Sequence, residues 1–125
     1  MEGKIRTKNG EVWVEGEILI IKMFGQVTAE EIEEMANAGI GMVKNHKEVK
    51  YNLVDISGVS MAPLSARQKA FDYVGNVKKM AFVCTNPVAR IIGSFFLRRY
   101  SFSMPVKMFS SMDEAKKWLS EEKKE

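Results

Sequence analysis

The chain has few of the residues that carry enzyme chemistry, with one cysteine and one histidine among 125 residues. A single cysteine excludes an internal disulfide, and one Cys with one His is too few for a zinc site. The sequence contains no Gly-rich phosphate loop, so it gives a nucleotide site little support. We therefore expect a non-enzymatic protein that needs no metal and no cofactor.

Long apolar runs are also missing. None approaches the roughly 20 residues needed to span a bilayer, and no apolar signal-peptide core follows the charged residues 2–8. We expect a cytoplasmic protein. Hydrophobic residues make up 46% of the chain and charged residues 28%, which is ordinary for a globular domain. We interpret residues 1–125 as a single domain. The net charge of +3 is small and scattered, so it does not favour nucleic-acid binding.

Strand-like and helix-like segments alternate in the second half of the chain. Residues 51–56, 79–84 and 106–109 are apolar runs, and each precedes a helical pattern, at residues 65–76, 86–100 and 111–122. This alternation predicts parallel strands joined by helical crossovers. Before it, residues 4–7, 12–15 and 18–24 predict an antiparallel meander, with Asn9-Gly10 at the centre of a type I′ turn. The predicted fold class is α/β, with a mixed and mostly parallel sheet.

Each predicted helix opens with a capping signal. Capping boxes begin at Thr28, Ser65 and Ser111, while Asn86 precedes a proline at the first helical position. If successive strands are neighbours, right-handed crossovers place the helices on one face, and the other face needs a cover. We expect the strongest apolar stripe to face the core. It consists of Val88, Ile91, Ile92, Phe95 and Phe96.

Several segments resemble STAS domains, the fold of anti-sigma-factor antagonists, from about residue 18 to residue 119. Residues 54–59 (VDISGV) are similar to the end of the central STAS strand. Residues 86–90, 94–97, 105–109 and 113–119 are similar to the SpoIIAA-like branch, which is often grouped with lipid-transfer CRAL-TRIO domains. The resemblance implies a STAS-like fold and a regulatory or binding role.

The chain departs from the phosphorylatable STAS pattern at one point. Those domains carry Asp-Ser-Ser-Gly-Leu after the central strand, where residues 63–67 of this chain read PLSAR. Ser65 remains near the phosphorylatable position, but the acidic residue and the glycine are missing. Ser65 is thus a candidate either for phosphorylation, as in an anti-sigma-factor antagonist, or for helix capping, and capping is the favoured interpretation.

The candidate ligand site lies where parallel strands end and helices begin, because helix N-termini there carry free N–H groups that suit an anion. We expect apolar walls from Leu97 and Phe102, which fit the inward stripe poorly and so could instead cover a sheet edge or make a dimer contact. The predicted polar residues of the site are Ser57, Gly58, Ser60, Asn86 and Arg90.

Three further residues have unremarkable interpretations. Cys84 lies in the most apolar strand and is predicted to be a core residue, and His46 is predicted to be a solvated residue at a helix end. Asp55 could cap the loop that follows it or hydrogen-bond across to a helix end, and a role as general base would need an acid partner that the sequence does not reveal. The domain is therefore predicted to recognise a protein partner or a small, partly apolar, lipid-like ligand. Homodimerisation and contact with a membrane surface are left open.

Overall fold

The computed structural model describes residues 3–63, 65–66, 69, 77–98 and 104–121, without the side chains of residues 95 and 96. The strands are β1 (Ile5–Thr7), β2 (Gly10–Glu15), β3 (Ile18–Gln26), β4 (Tyr51–Met61), β5 (Lys79–Val83) and β6 (Val106–Phe109). The helices within the described part are α1 (Ala29–Lys44), α2 (Pro87–Arg98) and α3 (Met112–Ser120). Most of the helix predicted over residues 65–76 lies outside the described residues.

The strands form one mixed sheet in the order β1-β2-β3-β4-β5-β6. The β1–β2 and β2–β3 pairs are antiparallel, whereas β3–β4, β4–β5 and β5–β6 are parallel. Leu53 on β4 pairs in register with Ile20 on β3 and Ala81 on β5. The predicted α/β class, the N-terminal meander and the parallel arrangement of the last strands are confirmed.

The sheet has a hydrophobic core on each face. On one face, Val12 and Leu19 pack with Met35 of α1. On the other face, Ile20 and Leu53 pack with residues of α3 such as Leu119. The expectation that all helices share one face was wrong for α3. That helix follows the last strand, so it need not cross back to another strand and can cover the opposite face.

Strand β4 is longer than the sequence suggested. The strand predicted over residues 51–56 continues to Met61 in the structure. The partner strand β3 also runs further, to Gln26, and pairs with Met61 across two register shifts. A Cβ on Gly58 would lie 2.9 Å from the Cβ of Phe24, so a glycine permits this close pairing.

The first hairpin turns one residue earlier than predicted. Thr7 pairs with Gly10, so Lys8 and Asn9 form the turn, and neither has positive φ. The predicted type I′ turn at Asn9-Gly10 was therefore wrong. Gly10 is needed for space instead, because a Cβ there would collide with the Sδ of Met35 on α1.

Of the capping boxes predicted at Thr28 and Ser111, only the second forms the expected hydrogen bond from a backbone N–H to the capping side chain. Ser111 accepts a hydrogen bond from the Glu114 backbone N–H at 3.2 Å, as a capping box requires. Thr28 is the N-cap of α1, but its hydroxyl bonds the Glu31 carboxylate at 3.0 Å rather than a backbone N–H.

The predicted capping box at Ser65 falls partly outside the described residues, because residues 67 and 68, whose N–H groups the cap would bond, are not among them. Ser65 is exposed and itself helical, and the turn is entered by a hydrogen bond from the Ala66 N–H to the Pro63 carbonyl at 2.9 Å. No hydrogen bond of the Ser65 hydroxyl is present in the part of the chain that the structure describes.

The first three residues of the apolar stripe of α2 are exposed, contrary to the prediction that they pack in the core, and the side chains of residues 95 and 96 lie outside the described part. Val88, Ile91 and Ile92 are 66%, 70% and 59% exposed. The helix approaches β6 through Gly93, where an added Cβ would lie 2.9 Å from the Cε of Met108. Because the glycine side of α2 faces the sheet edge, the branched side chains point elsewhere.

Candidate functional site

A large apolar cavity lies on the α1 face of the sheet, between α1 and α2. Its volume is about 690 Å³. The sheet contributes its floor from β3, β4 and β5, and the helices contribute Ile40 from α1 and Ile92 from α2. Both of these isoleucines are about half exposed or more, so the cavity reaches the solvent. Floor residues include Ile21, Val54, Ile56, Met80 and Phe82.

Two polar residues stand out in the otherwise apolar lining, Lys44 and Asn52. Asn52 is only 8% exposed and pairs in register with Leu19 and Met80, which line the same cavity. The side-chain amide of Asn52 makes no hydrogen bond with any described residue. Lys44 is the exposed last residue of α1 and forms no ion pair within the described part of the chain.

The polar residues predicted from the sequence gather at the opposite edge, where the parallel strands end. The Ser57 hydroxyl accepts a hydrogen bond from the Thr85 N–H at 3.0 Å, beside Asn86. The Arg90 guanidinium donates to the Cys84 carbonyl at 3.2 Å. The structure thus brings Ser57, Asn86 and Arg90 to one end of the sheet, and Cys84 joins this group to the cavity that it lines.

The N-terminus of α2 is already capped. The side-chain oxygen of Asn86 accepts hydrogen bonds from the N–H groups of Val88 at 3.0 Å and Ala89 at 3.2 Å. Free N–H groups at this helix N-terminus were predicted to bind an anion. An anion would have to displace the cap, so this edge is a weaker anion site than the sequence suggested.

The remaining predicted residues are more scattered. Gly58 and Ser60 are exposed on the extension of β4, whereas Leu97 lines the cavity from α2. Phe102 lies outside the described residues. The roles assigned to these residues stay predictions.

Residues with reactive side chains do not converge on the cavity. Cys84 is buried, and the side chain of His46 is 41% exposed beside Glu48, at 3.3 Å. Asp55 is 8% exposed, and its carboxylate accepts the Ser57 N–H at 3.0 Å; because Ser57 lies within β4, this bond is made inside the strand and not in the predicted loop. Among the described residues, no His, Cys, Asp and Glu side chains cluster to hold a metal ion. No helix there is long and apolar enough to cross a membrane.

The pKa shifts of Glu15, Glu48 and Lys50 arise in ion pairs at the protein surface. The hydrogen bond from Lys116 lowers the pKa of Glu15, across a 2.6 Å ion pair that joins α3 to β2. The hydrogen bond to Glu17 raises the pKa of Lys50. Backbone and His46 hydrogen bonds lower the pKa of Glu48. None of these three residues lines the cavity.

The sequence analysis missed Asn52 and Lys44. Asn52 is the polar interruption near the start of an apolar strand, and that interruption was the available signal. Lys44 lies in the last turn of α1, where a cation is ordinary and so gives no signal of a site. The sequence could not show that both residues line one cavity, because that depends on how α1 crosses the sheet.

Solved structures of similar fold are known. An uncharacterised protein of the DUF3478 family with a SpoIIAA-like fold, from Shewanella loihica PV-4, is 19% identical with a TM-score of 0.57, covering 93% of this chain and 89% of that one. A protein proposed as an anti-sigma factor antagonist, from Thermotoga maritima, is 12% identical with a TM-score of 0.63, covering 88% and 93%.

The unphosphorylated anti-sigma factor antagonist SpoIIAA of Bacillus is 16% identical, with a TM-score of 0.54 and coverage of 88% of this chain and 96% of that one. These likenesses confirm the predicted SpoIIAA-like, STAS-type fold. No curated protein matches the chain. A family model described as a domain of unknown function (DUF7793) matches residues 12–123, and the chain therefore belongs to this family.

Proposed function

We propose that this domain is a non-catalytic binding protein that holds a small, largely apolar ligand in the cavity between α1 and α2. The observation that carries the proposal is the cavity itself. Its volume of about 690 Å³ lies within the range of about 300–1,000 Å³ typical of ligand sites. Its walls are mostly aliphatic side chains and methionines, with the few polar groups that such sites use for orientation.

The arrangement of reactive groups supports binding rather than catalysis. A cysteine nucleophile needs exposure and a base nearby. Cys84 is buried, and its Sγ contacts the Asn86 carbonyl at 3.7 Å. His46 instead sits at the surface next to Glu48. The two side chains that most often supply nucleophile and base are therefore not paired with each other.

A fluorescence titration with the neutral apolar probe N-phenylnaphthylamine tests the proposal. Ala89 lines the cavity from α2 and is exposed, so Ala89→Phe should narrow the cavity without disturbing the core. Its neighbour Val88 is 66% exposed and does not line the cavity, which makes Val88→Phe the matched control. We expect saturable binding to the wild type and to Val88→Phe, and markedly weaker binding to Ala89→Phe. Absence of saturable binding to the wild type would refute the proposal.

A second candidate is a regulatory role through a protein partner. The outward stripe of α2 favours it, because Val88, Ile91 and Ile92 present branched apolar side chains to solvent, as interaction surfaces do. The fold likeness to anti-sigma factor antagonists is consistent with this candidate. We expect Ile91→Asp to abolish retention of a specific partner by the tagged protein in its own host, while Lys117→Asp on α3 retains it. Equal retention by both variants would exclude the stripe as the contact.

Phosphorylation of Ser65 belongs to the regulatory candidate. Ser65 is exposed, so a kinase could reach its hydroxyl. Intact-mass measurement of the protein from its own host, with Ser65→Ala as control, tests this directly. A phosphorylated species lost in Ser65→Ala would support the regulatory role, and an unmodified wild type would argue against it.

A further inference from the structure

We propose that the ligand is an amphiphile with an anionic head, specifically a medium- or long-chain carboxylate. The head would bind at Asn52 and Lys44, and the chain would extend along the sheet toward Cys84. This inference rests on the proposed apolar-ligand function and adds the chemical class and direction of the ligand. It places the head at the edge where the parallel strands begin, opposite the edge that the sequence predicted.

The first observation is the unpartnered amide of Asn52. The residue is 8% exposed, and its side chain bonds no described residue. The Asn52 amide atoms are not among the polar atoms that the described part of the chain seals from solvent, so the amide faces the cavity, where water or a ligand can bond it. The sheet positions on either side, Leu19 and Met80, are apolar and offer none. A ligand oxygen inside the cavity could accept from the Asn52 NH₂ group.

The second observation is the charge of Lys44. It is the one charged residue among the described residues that line the cavity. A nearby cation, Lys50, is already paired with Glu17 at 2.9 Å, whereas Lys44 has no ion-pair partner in the described part of the chain. The charge of Lys44 therefore complements an anionic head, and a neutral head would gain no such attraction.

The topology places these two groups at the same end of the cavity. Helix α1 begins near the end of β3 and runs back across the sheet to Lys44. The chain then enters β4 at Tyr51, so Asn52 is the second residue of that strand. Val49, in the connection between them, also lines the cavity. Both polar groups therefore lie at the edge where β4 begins.

The rest of the lining suits an alkyl chain. From Asn52 the floor continues along β4 through Val54 and Ile56, residues that point to the same face of the strand. Four methionines contribute to the wall, and their flexible thioether side chains adapt to chains of different length. They are Met23, Met35, Met80 and Met108. Between Asn52 and Cys84, the described residues of this floor offer a rigid polar ligand no further polar side chain.

Displacement of N-phenylnaphthylamine by dodecanoate and by dodecanol tests the inference, because the two chains are equal and only the head differs. A buried charge-assisted hydrogen bond from Asn52 predicts that Asn52→Leu weakens dodecanoate binding by about tenfold or more. Lys44 is exposed, so Lys44→Gln should weaken it by only about two- to fivefold. The exposed neighbour Lys47 does not line the cavity, and Lys47→Gln should bind as the wild type does.

The outcomes separate the inference from the proposed function. Binding of dodecanoate that is stronger than that of dodecanol, and is lost selectively in Asn52→Leu, supports the inference. Equal affinity for the two chains, or an unchanged Asn52→Leu variant, overturns it while leaving the apolar-ligand function intact. Failure of the wild type to bind N-phenylnaphthylamine at all overturns both.

Discussion

Replacing Asn52 with leucine should make the ligand-free domain more stable. The wild-type amide is 8% exposed without a hydrogen-bond partner in the described part of the chain. Because the amide atoms are not sealed from the cavity, water recovers part of their hydrogen bonding, and the remaining penalty is about 1 kcal/mol. Leucine is close to asparagine in size and adds apolar surface beside Leu19 and Met80, so the substitution removes the penalty without opening a cavity.

The expected gain can be converted into a melting temperature. For a chain of 125 residues, the entropy of unfolding makes each kcal/mol worth about 4 °C. Asn52→Leu should therefore melt about 4 °C above the wild type when both proteins are stripped of bound ligand. Urea unfolding with an unchanged m-value would show that the gain lies in stability and not in the unfolded state.

The matched control is Asn37→Leu on the exposed face of α1, which should change the unfolding free energy by no more than about 0.5 kcal/mol. An Asn52→Leu variant that is less stable than the wild type, or equal to it, would refute the reasoning. It would mean that the amide is satisfied in the folded protein. A stabilising substitution that also removes ligand binding is the trade-off expected of a functional residue.

Three further predictions concern the fold. Gly10→Ala should destabilise by about 1–3 kcal/mol in urea unfolding, because the new Cβ would lie 2.8 Å from a β3 carbonyl oxygen that cannot move away. Ser111→Ala should cost about 1 kcal/mol through loss of its cap, whereas Ser65→Ala should change the unfolding free energy by less than about 0.5 kcal/mol; equal costs would contradict the cap assignments. The Lys116 hydrogen bond lowers the pKa of Glu15 from 4.5, so the stabilisation is present above that pH and is lost as the pH falls below it. Glu15→Gln should cost at most about 1 kcal/mol at neutral pH and nothing in acid, as thermal melts at both pH values can check.

The fold could be predicted because local signals agreed with one another. The capping box at Ser111 and the Asn86-Pro87 cap marked where helices begin, and the apolar runs between them marked the parallel strands. The extension of β4 to Met61 could not be predicted in this way. It depends on pairing with the end of β3, which is a contact between segments distant in sequence.

The site was harder to predict because side-chain direction is set by packing. The apolar stripe of α2 has ideal core spacing, yet Gly93 against Met108 turns Ile91 outward. The general rule for parallel sheets pointed to the carboxyl edge, and Ser57, Asn86 and Arg90 do meet there. The rule says nothing about a polar residue inside the floor of a cavity, so it could not indicate Asn52.

The most direct test of ligand binding in the cavity uses the methionines as reporters in ¹³C-methyl NMR during a titration with dodecanoate. If the account is correct, the four methionines of the cavity wall shift together and saturably. The methyl signals of two other methionines should not shift. They are Met61, which is 59% exposed, and Met112, which packs in the core on the other face. Shifts confined to Met61 or Met112, or no saturable shift in the cavity methionines, would contradict the central claim.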